Sequence, residues 1–388
     1  MSRAERTVVL VAVAAVLVVT LVVALLTGPP GRPPSSGGTT VTVLTRNVYL
    51  GGDITRPVRA VRGQSGPAAL AALAGATHEL REIVDGTDFR TRARLLAEEI
   101  DAVEPDLVGL QEVALWRSGP LQLDQIGRPN ATQVDQDFLA ILQSALAGRG
   151  TPYDVVRVQP GSDVEAPSFA GGLSAPQFPR DVRLTMRDVI LLRQGSAVRV
   201  SASGSGQFSQ RLDLDLSGVP FSFVRGYAWA DLTAGAAELR FVTAHLESQS
   251  ADVALAQADE LVAGPAAPSA RPVVLVCDCN SDPGATAVQP GEDAAGAAAY
   301  ERLTGAGLQD AWLGRGAGFT AAFSESVRDP GSGGLNRRLD LVLTRGTTET
   351  PVQVERADVL GEEVPDRDEA TGLWPSDHAG VVAELRVD

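Results

Sequence analysis

Lysine is absent from the sequence: all 33 basic residues among the 388 are Arg. That excludes Schiff-base catalysis and a P-loop, both of which need a Lys amine. Cysteine and histidine are scarce, at 2 and 3 residues. Two Cys cannot build a disulfide-dense scaffold, and so few His give each position weight. Excess positive charge is missing too, because 48 acidic residues leave a formal net charge of −15. A broad basic surface for duplex nucleic acid is therefore not expected. A local phosphate-binding rim stays open, with Arg56, Arg59 and Arg62, or Arg180, Arg183 and Arg187, as candidates. What is present is a globular composition, 44% hydrophobic and 21% charged, in a length that suits one large domain or two small ones.

The N-terminus reads as an address. Residues 1–7 carry Arg3 and Arg6; residues 8–27 hold the long apolar run, in which Thr20 is the only polar side chain from 8 to 26. As a helix at ~1.5 Å per residue the run spans roughly 28 Å, close to the hydrocarbon thickness of a bilayer. It is longer than a secretory core segment and no clear A-x-A site follows. The expectation is a single-pass membrane anchor with a cytoplasmic N-terminus and an exported body. The alternative is a cleaved signal and a secreted protein. Residues 28–40 form a Pro/Gly/Ser linker that cannot pack a core.

The body, residues 41–388, alternates strands and helices. Period-two or short buried runs predict strands at 41–48, 106–113, 153–158, 188–193, 221–232, 239–246, 272–280, 339–344 and 379–387. Helical spacing predicts helices over 89–103, ended by Pro105, and over 134–147, 251–263 and 294–304. Gly/Pro/Ser-rich stretches at 51–76, 159–180 and 313–335 are expected to be surface loops. Strands outnumber helices, which favours layered sheets with helices outside.

Acids, amides and histidines collect at the strand ends. Asn47 closes the first strand, Glu112 the second, His245 the run LRFVTAH, and Asp278 with Asn280 the run PVVLVCDCN. Asp340 heads LDLVLT, and Asp377 and His378 precede the last strand. Such groups need partners or a cleft, so several of them from one layered core imply one shared polar site. Carboxylates and an amide are hard oxygen ligands that suit Mg²⁺, and two imidazoles suit phosphate binding or proton transfer. Strand alternation puts Asp278 and Asn280 on one face and Cys277 and Cys279 on the other. The cysteines are expected to be small core residues without a disulfide, since bridging two Cys on one strand needs strained geometry. His78 is expected to be solvated, Asp282-Pro283 a turn, and Trp116, Tyr227 and Trp229 either cleft or core residues.

Asn47-Val48, Leu110-Gln111-Glu112-Val113, Thr243-Ala244-His245-Leu246, Asp278 to Pro283, Leu339-Asp340 and Ser376-Asp377-His378 together resemble the ordered motifs of the endonuclease/exonuclease/phosphatase superfamily. The resemblance runs from about residue 41 to the C-terminus. It departs at Cys277 and Cys279, where the family usually has Gly and a Phe or Leu. It implies an α/β fold, a four-layered α/β/β/α sandwich with two packed mixed sheets. It also implies Mg²⁺ or Mn²⁺ held by Glu112, Asn47 and Asp377. In the implied roles His245 contacts the scissile phosphate, Asp278 orients or deprotonates water and Asn280 holds phosphate or nucleophile. His378, oriented by Asp340, stabilises developing charge. No acidic partner for His245 is evident, although Glu247 shares its strand face. The implied activity is metal-dependent phosphodiester hydrolysis, on a phospholipid headgroup as in the sphingomyelinases or on nucleic acid. A phosphomonoesterase and a non-catalytic, membrane-anchored domain of the same fold are the alternatives. No motif points to a protein partner.

Overall fold

The alternation of β1 (Thr39–Asn47) explains why its sheet packs on both faces: Val41 and Val43 face one core, and Leu44 faces another. The structure, a computed structural model, describes residues 38–126, 128–216, 219–285 and 296–388. The apolar run and nearly all of the linker lie outside these. Among the described residues no helix is long and apolar enough to cross a membrane.

After β1 come α1 (Thr55–Ala60), α2 (Gly66–Gly86), α3 (Phe89–Val103), β2 (Leu107–Gln111), β3 (Leu115–Gly119), β4 (Gln133–Asp137) and α4 (Phe138–Arg149). A long hairpin follows, β5 (Tyr153–Ala170) with β6 (Gln177–Arg193). Next are β7 (Arg199–Gln207), β8 (Leu212–Leu216), β9 (Val219–Phe223), β10 (Gly226–Ala234) and β11 (Ala237–His245). The remainder holds α5 (Ala251–Ala263), β12 (Val273–Asp278), α6 (Ala298–Gly305), β13 (Gln309–Asp310), β14 (Asp340–Arg345), β15 (Val352–Leu360) and β16 (Gly380–Val387).

Two large mixed sheets result. The first runs β15-β16-β1-β2-β6-β3-β4, with β5 on β6; the second runs β13-β14-β12-β11-β10-β7; β8 and β9 pair separately. Their facing sides share a core that includes Val43, Leu107 and Ile190 from one sheet and Ala230, Phe241 and Val276 from the other. Helices α2, α3 and α4 bury Leu80, Leu96 and Leu142 against the outer face of the first sheet. Helices α5 and α6 bury Leu261 and Leu303 against the second. Gly109 on β2 lets the sheets approach closely, because a Cβ there would lie 2.7 Å from Thr243 Oγ1.

Several expectations are corrected. Residues 51–76 contain α1 and the first half of α2. The stretch is rich in Ala as well as Gly, and Pro67 sits in the first turn of α2, where it has no N–H to lose. Residues 159–180 belong to the β5–β6 hairpin, whose bulges absorb its Pro and Gly. The helix expected at 134–147 begins at Phe138, where Asp137 caps it by accepting from the N–H groups of Leu139 and Ala140. The strand expected at 221–232 is two strands, divided between Phe223 and Gly226. The last predicted helix is shorter, Ala298–Gly305, and residues 286–295 before it lie outside the described ones.

Candidate active site

Strand register brings the polar ends together. In the second sheet His245 is paired with Asp278 across the parallel β11–β12 ladder, and Asp278 with Asp340 across the antiparallel β12–β14 ladder. In the first sheet Asn47 pairs with Gln111, the residue before Glu112. The chain then turns sharply away: Tyr49, Glu112 and Asn280 all have left-handed backbones, with φ of 56°, 59° and 44°. Left-handed non-glycine residues are uncommon and gather at functional sites, and here all three follow the strand ends that carry Asn47, Gln111 and Asp278.

Hydrogen bonds tie the two edges into one site. Asn47 Nδ2 donates to Asp278 Oδ2 at 3.0 Å, and Asn47 Oδ1 accepts from the Tyr49 N–H at 2.8 Å. The Asn280 N–H donates to Asp278 Oδ1 at 3.1 Å, while its side-chain amide donates to the Leu246 carbonyl at 3.0 Å. His245 Nε2 lies 3.4 Å from Asp278 Oδ2. His378 Nδ1 meets Asp340 Oδ2 at 2.7 Å. The Ser376 hydroxyl donates to the Asn47 carbonyl at 2.8 Å and accepts from the His378 N–H at 3.2 Å, so the last loop is latched to the first strand. Glu112 Oε2 accepts from the Leu50 N–H at 2.9 Å. All eight residues read from the sequence, Asn47, Glu112, His245, Asp278, Asn280, Asp340, Asp377 and His378, thus belong to one constellation.

Burial sets the protonation. It raises Asp278 to about 7, with Asp340 and Glu112 adding to the rise and His378 and the Asn47 hydrogen bond opposing it. It raises Asp377 to about 6, where Glu112 adds to the rise and His378 and Arg92 oppose it. Burial works against charge on His378, but Asp340, Asp278 and Asp377 outweigh it and hold the imidazole well above its usual range. His245 goes the other way: burial, then the charges of Arg225 and His378, push it well below, so its ring is neutral.

Glu112 and Asp377 both line a cleft of about 300 Å³ above the buried residues. These two carboxylates, of which Glu112 raises Asp377 by its charge, form with the amide oxygen of Asn47 a hard-oxygen set of the kind that takes Mg²⁺ or Mn²⁺, so these residues fit such an ion. Asp278, Asp340 and His378 also bring ligand atoms within 4.8 Å of one another, and Asp340 Oδ1 is buried without a partner. There, however, the imidazole Nδ1 is already engaged by Asp340.

Three further residues of the site, Asp188, Arg225 and Arg92, lie outside the sequence motifs. Asp188, on β6, is the acid beside His245: its Oδ1 lies 3.8 Å from Nδ1, and burial raises it to about 7. Glu247 instead faces Arg225, at 4.0 Å, and accepts from the Gln249 N–H. Arg225 covers His245, with Nη1 at 2.7 Å and 2.6 Å from its two ring nitrogens. Arg92 is buried under the site and donates to the carbonyls of Thr87, Val48, Tyr49 and Pro375 at 2.8–3.1 Å. An inward acid at the head of an apolar strand was the only hint for Asp188.

Other expectations are corrected here. Cys277 and Cys279 do sit in the apolar core behind Asp278, but as a disulfide. Their Cα atoms are 5.0 Å apart, within bridging range, because Cys279 lies beyond the end of β12. His78 is half-buried on α2, near Glu82 and stacked on Phe178, not solvated. Trp116 is a core residue, and Tyr227 and Trp229 pack on the core between the second sheet and helices α5 and α6. Most of the Arg rim is neutralised: Arg56 pairs with Glu79 and Glu325, Arg183 with Asp163, and Arg187 with Asp137. Arg59, paired with Asp53, does line the cleft. Asp282 closes a turn by accepting from the Gly284 N–H.

The endonuclease/exonuclease/phosphatase family model matches residues 61–378. The chain belongs to this family. Its members hydrolyse phosphoester bonds, in general with divalent metal ions. No curated protein matches the chain by sequence. Solved structures share the family fold at low identity. A family protein from Bacteroides thetaiotaomicron is 16% identical, with a TM-score of 0.51 over 90% of this chain and 99% of that one. One from Beutenbergia cavernae is 18% identical, with a TM-score of 0.50 over 90% and 72% of the two chains. One from Leptotrichia buccalis is 14% identical, with a TM-score of 0.50 over 89% and 99%.

Proposed function

We propose that the chain is a divalent-metal-dependent phosphodiesterase that hydrolyses its substrate by in-line attack of water. The observation that carries this reading is the convergence of two histidines of opposite charge state on Asp278, beside a separate carboxylate pair open to the cleft. Glu112 and Asp377, with Asn47, hold Mg²⁺ or Mn²⁺, which when bound neutralises phosphate charge as a Lewis acid. Asp278 is the general base. Its oxygens are aimed by Asn47 and the Asn280 N–H, and a pKa of about 7 suits proton removal near neutral pH. His378, held cationic by Asp340, donates to a phosphate oxygen and stabilises charge as it develops. Neutral His245, flanked by Asp188 and Asp278, binds a second phosphate oxygen, and the Asn280 side of the site orients the ester. The apolar run at 8–26 tethers this body to the outer face of a cell membrane.

Parallel assays of plasmid DNA, RNA, sphingomyelin, bis(p-nitrophenyl) phosphate and p-nitrophenyl phosphate test the reading. Turnover of diesters in Mg²⁺, lost in EDTA, is expected. Turnover of monoesters alone would replace it with a phosphomonoesterase. Inertness toward every ester, with no metal-dependent thermal shift, would point to a non-catalytic domain.

A further inference from the structure

We infer that an apolar groove beside the catalytic cleft receives a single aliphatic chain of the substrate, so that the enzyme acts on phosphate esters of long-chain amphiphiles. This rests on the phosphodiesterase reading and adds the substrate class. The groove encloses about 490 Å³, within the ~300–1,000 Å³ typical of small-molecule sites. Val58, Leu70 and Leu73 form one wall, and Val164, Leu184 and Phe221 the other.

The groove adjoins the cleft. Ile54 lines both. Helix α1 turns Thr55 and Arg59 to the cleft and Pro57 and Val58 to the groove. On β9, Phe223 lines the cleft and Phe221 the groove, with their rings edge to face at 4.9 Å. Leu50 links the candidate metal ligand to the groove lining: its N–H donates to Glu112, and its carbonyl accepts from Trp116 Nε1 at 3.0 Å. An ester whose phosphate sits at Glu112 therefore has an apolar trough beside it.

The lining selects an alkyl chain over a nucleobase. Only Thr77 and Trp116 among the lining side chains carry donors, and both are spent on the Leu73 and Leu50 carbonyls. The acids at the edge are engaged as well: Asp163 by Arg183 and Thr185, and Glu165 by the N–H groups of Asn130 and Ala131. A base edge needs both donors and acceptors, whereas methylenes need only dry surface. The expected membrane anchor at 8–26 would hold the groove near such amphiphiles.

The test uses the full chain in a steroid detergent and p-nitrophenyl alkyl phosphodiesters from methyl to octyl, below their aggregation limits. kcat/KM is expected to rise about fourfold per methylene until the groove fills. The slope is expected to flatten in Leu73→Gln and in Ala69→Trp, two half-buried positions on α2, of which the second fills the trough. Calorimetric binding of methyl- and octylphosphonate reads the same preference without turnover. A flat series with the methyl ester still turned over overturns the groove and leaves the phosphodiesterase reading standing. Octylphosphonate binding no tighter than methylphosphonate overturns the groove even if no ester is hydrolysed. The same esters in phosphate-free vesicles separate the sources: a chain-length effect in both settings supports the groove, and one confined to vesicles overturns it in favour of surface adsorption.

Discussion

At the residue scale, the chemistry depends on how one buried pocket holds a carboxyl and an imidazole in different charge states. Asp278 and His378 share a buried pocket, yet one is poised near pH 7 and the other is held protonated. Activity is therefore expected to rise with pH as Asp278 loses its proton and to fall at alkaline pH as His378 loses its own, a bell-shaped kcat/KM profile. Asp278→Asn should lower kcat by about 10²–10⁴-fold while circular dichroism remains native. Arg92 acts through others. Its guanidinium, lowered to about 10 chiefly by burial, collects four backbone carbonyls, three of them beside Asn47 and Asp377. Arg92→Met orphans them and should cost about 3 kcal/mol or more in a urea titration, with weaker metal binding as the site loosens.

At the element scale, the strands dictate the site and were the part most legible in the sequence. Apolar runs ending in Asn47, Glu112, His245 and Asp278 were readable because a strand end is where a buried chain must find a polar outlet. The pairing of His245 with Asp188 was not, because it is made across the two sheets and no local pattern encodes it. Helices α1 and α2 were hidden by Gly and Pro that sit at turns and helix starts, and the cysteine bridge by a strand that stops one residue early. Gly109 gives the sheet contact its own test. The Gln111 side chain donates to Thr243 Oγ1 at 2.9 Å next to the spot a Cβ would claim. Gly109→Val should destabilise by roughly 1–3 kcal/mol in chemical denaturation, through overpacking alone.

At the scale of the whole molecule, the site stores repulsion that a cation relieves. Asp188, Asp278 and Asp377 have folded pKa values of about 7, 7 and 6 against 3.8 unfolded, so the native state holds more protons between pH 4 and 7. Stability then falls as pH rises through that window. His378, also raised, extends the loss to higher pH, while His245, lowered, opposes it below its usual pKa. The metal-free protein should therefore melt higher at pH 5 than at pH 7.5 in calorimetry. The groove beside the cleft belongs to this scale too: α1, α2, the β5–β6 hairpin and β9 build it together, and none of them announces it alone.

The central claim is that Glu112 and its neighbours bind a divalent ion at the place where a phosphodiester is cleaved. The direct measurement is Mg²⁺-titrated turnover of bis(p-nitrophenyl) phosphate, with the Mg²⁺-induced thermal shift read on the same samples of native protein, Glu112→Gln and His378→Ala. Glu112→Gln is expected to lose both turnover and shift, whereas His378→Ala loses at least about 10²-fold in turnover but keeps the shift. Near-native turnover in either variant, or an undiminished Mg²⁺ shift in Glu112→Gln, would contradict the claim.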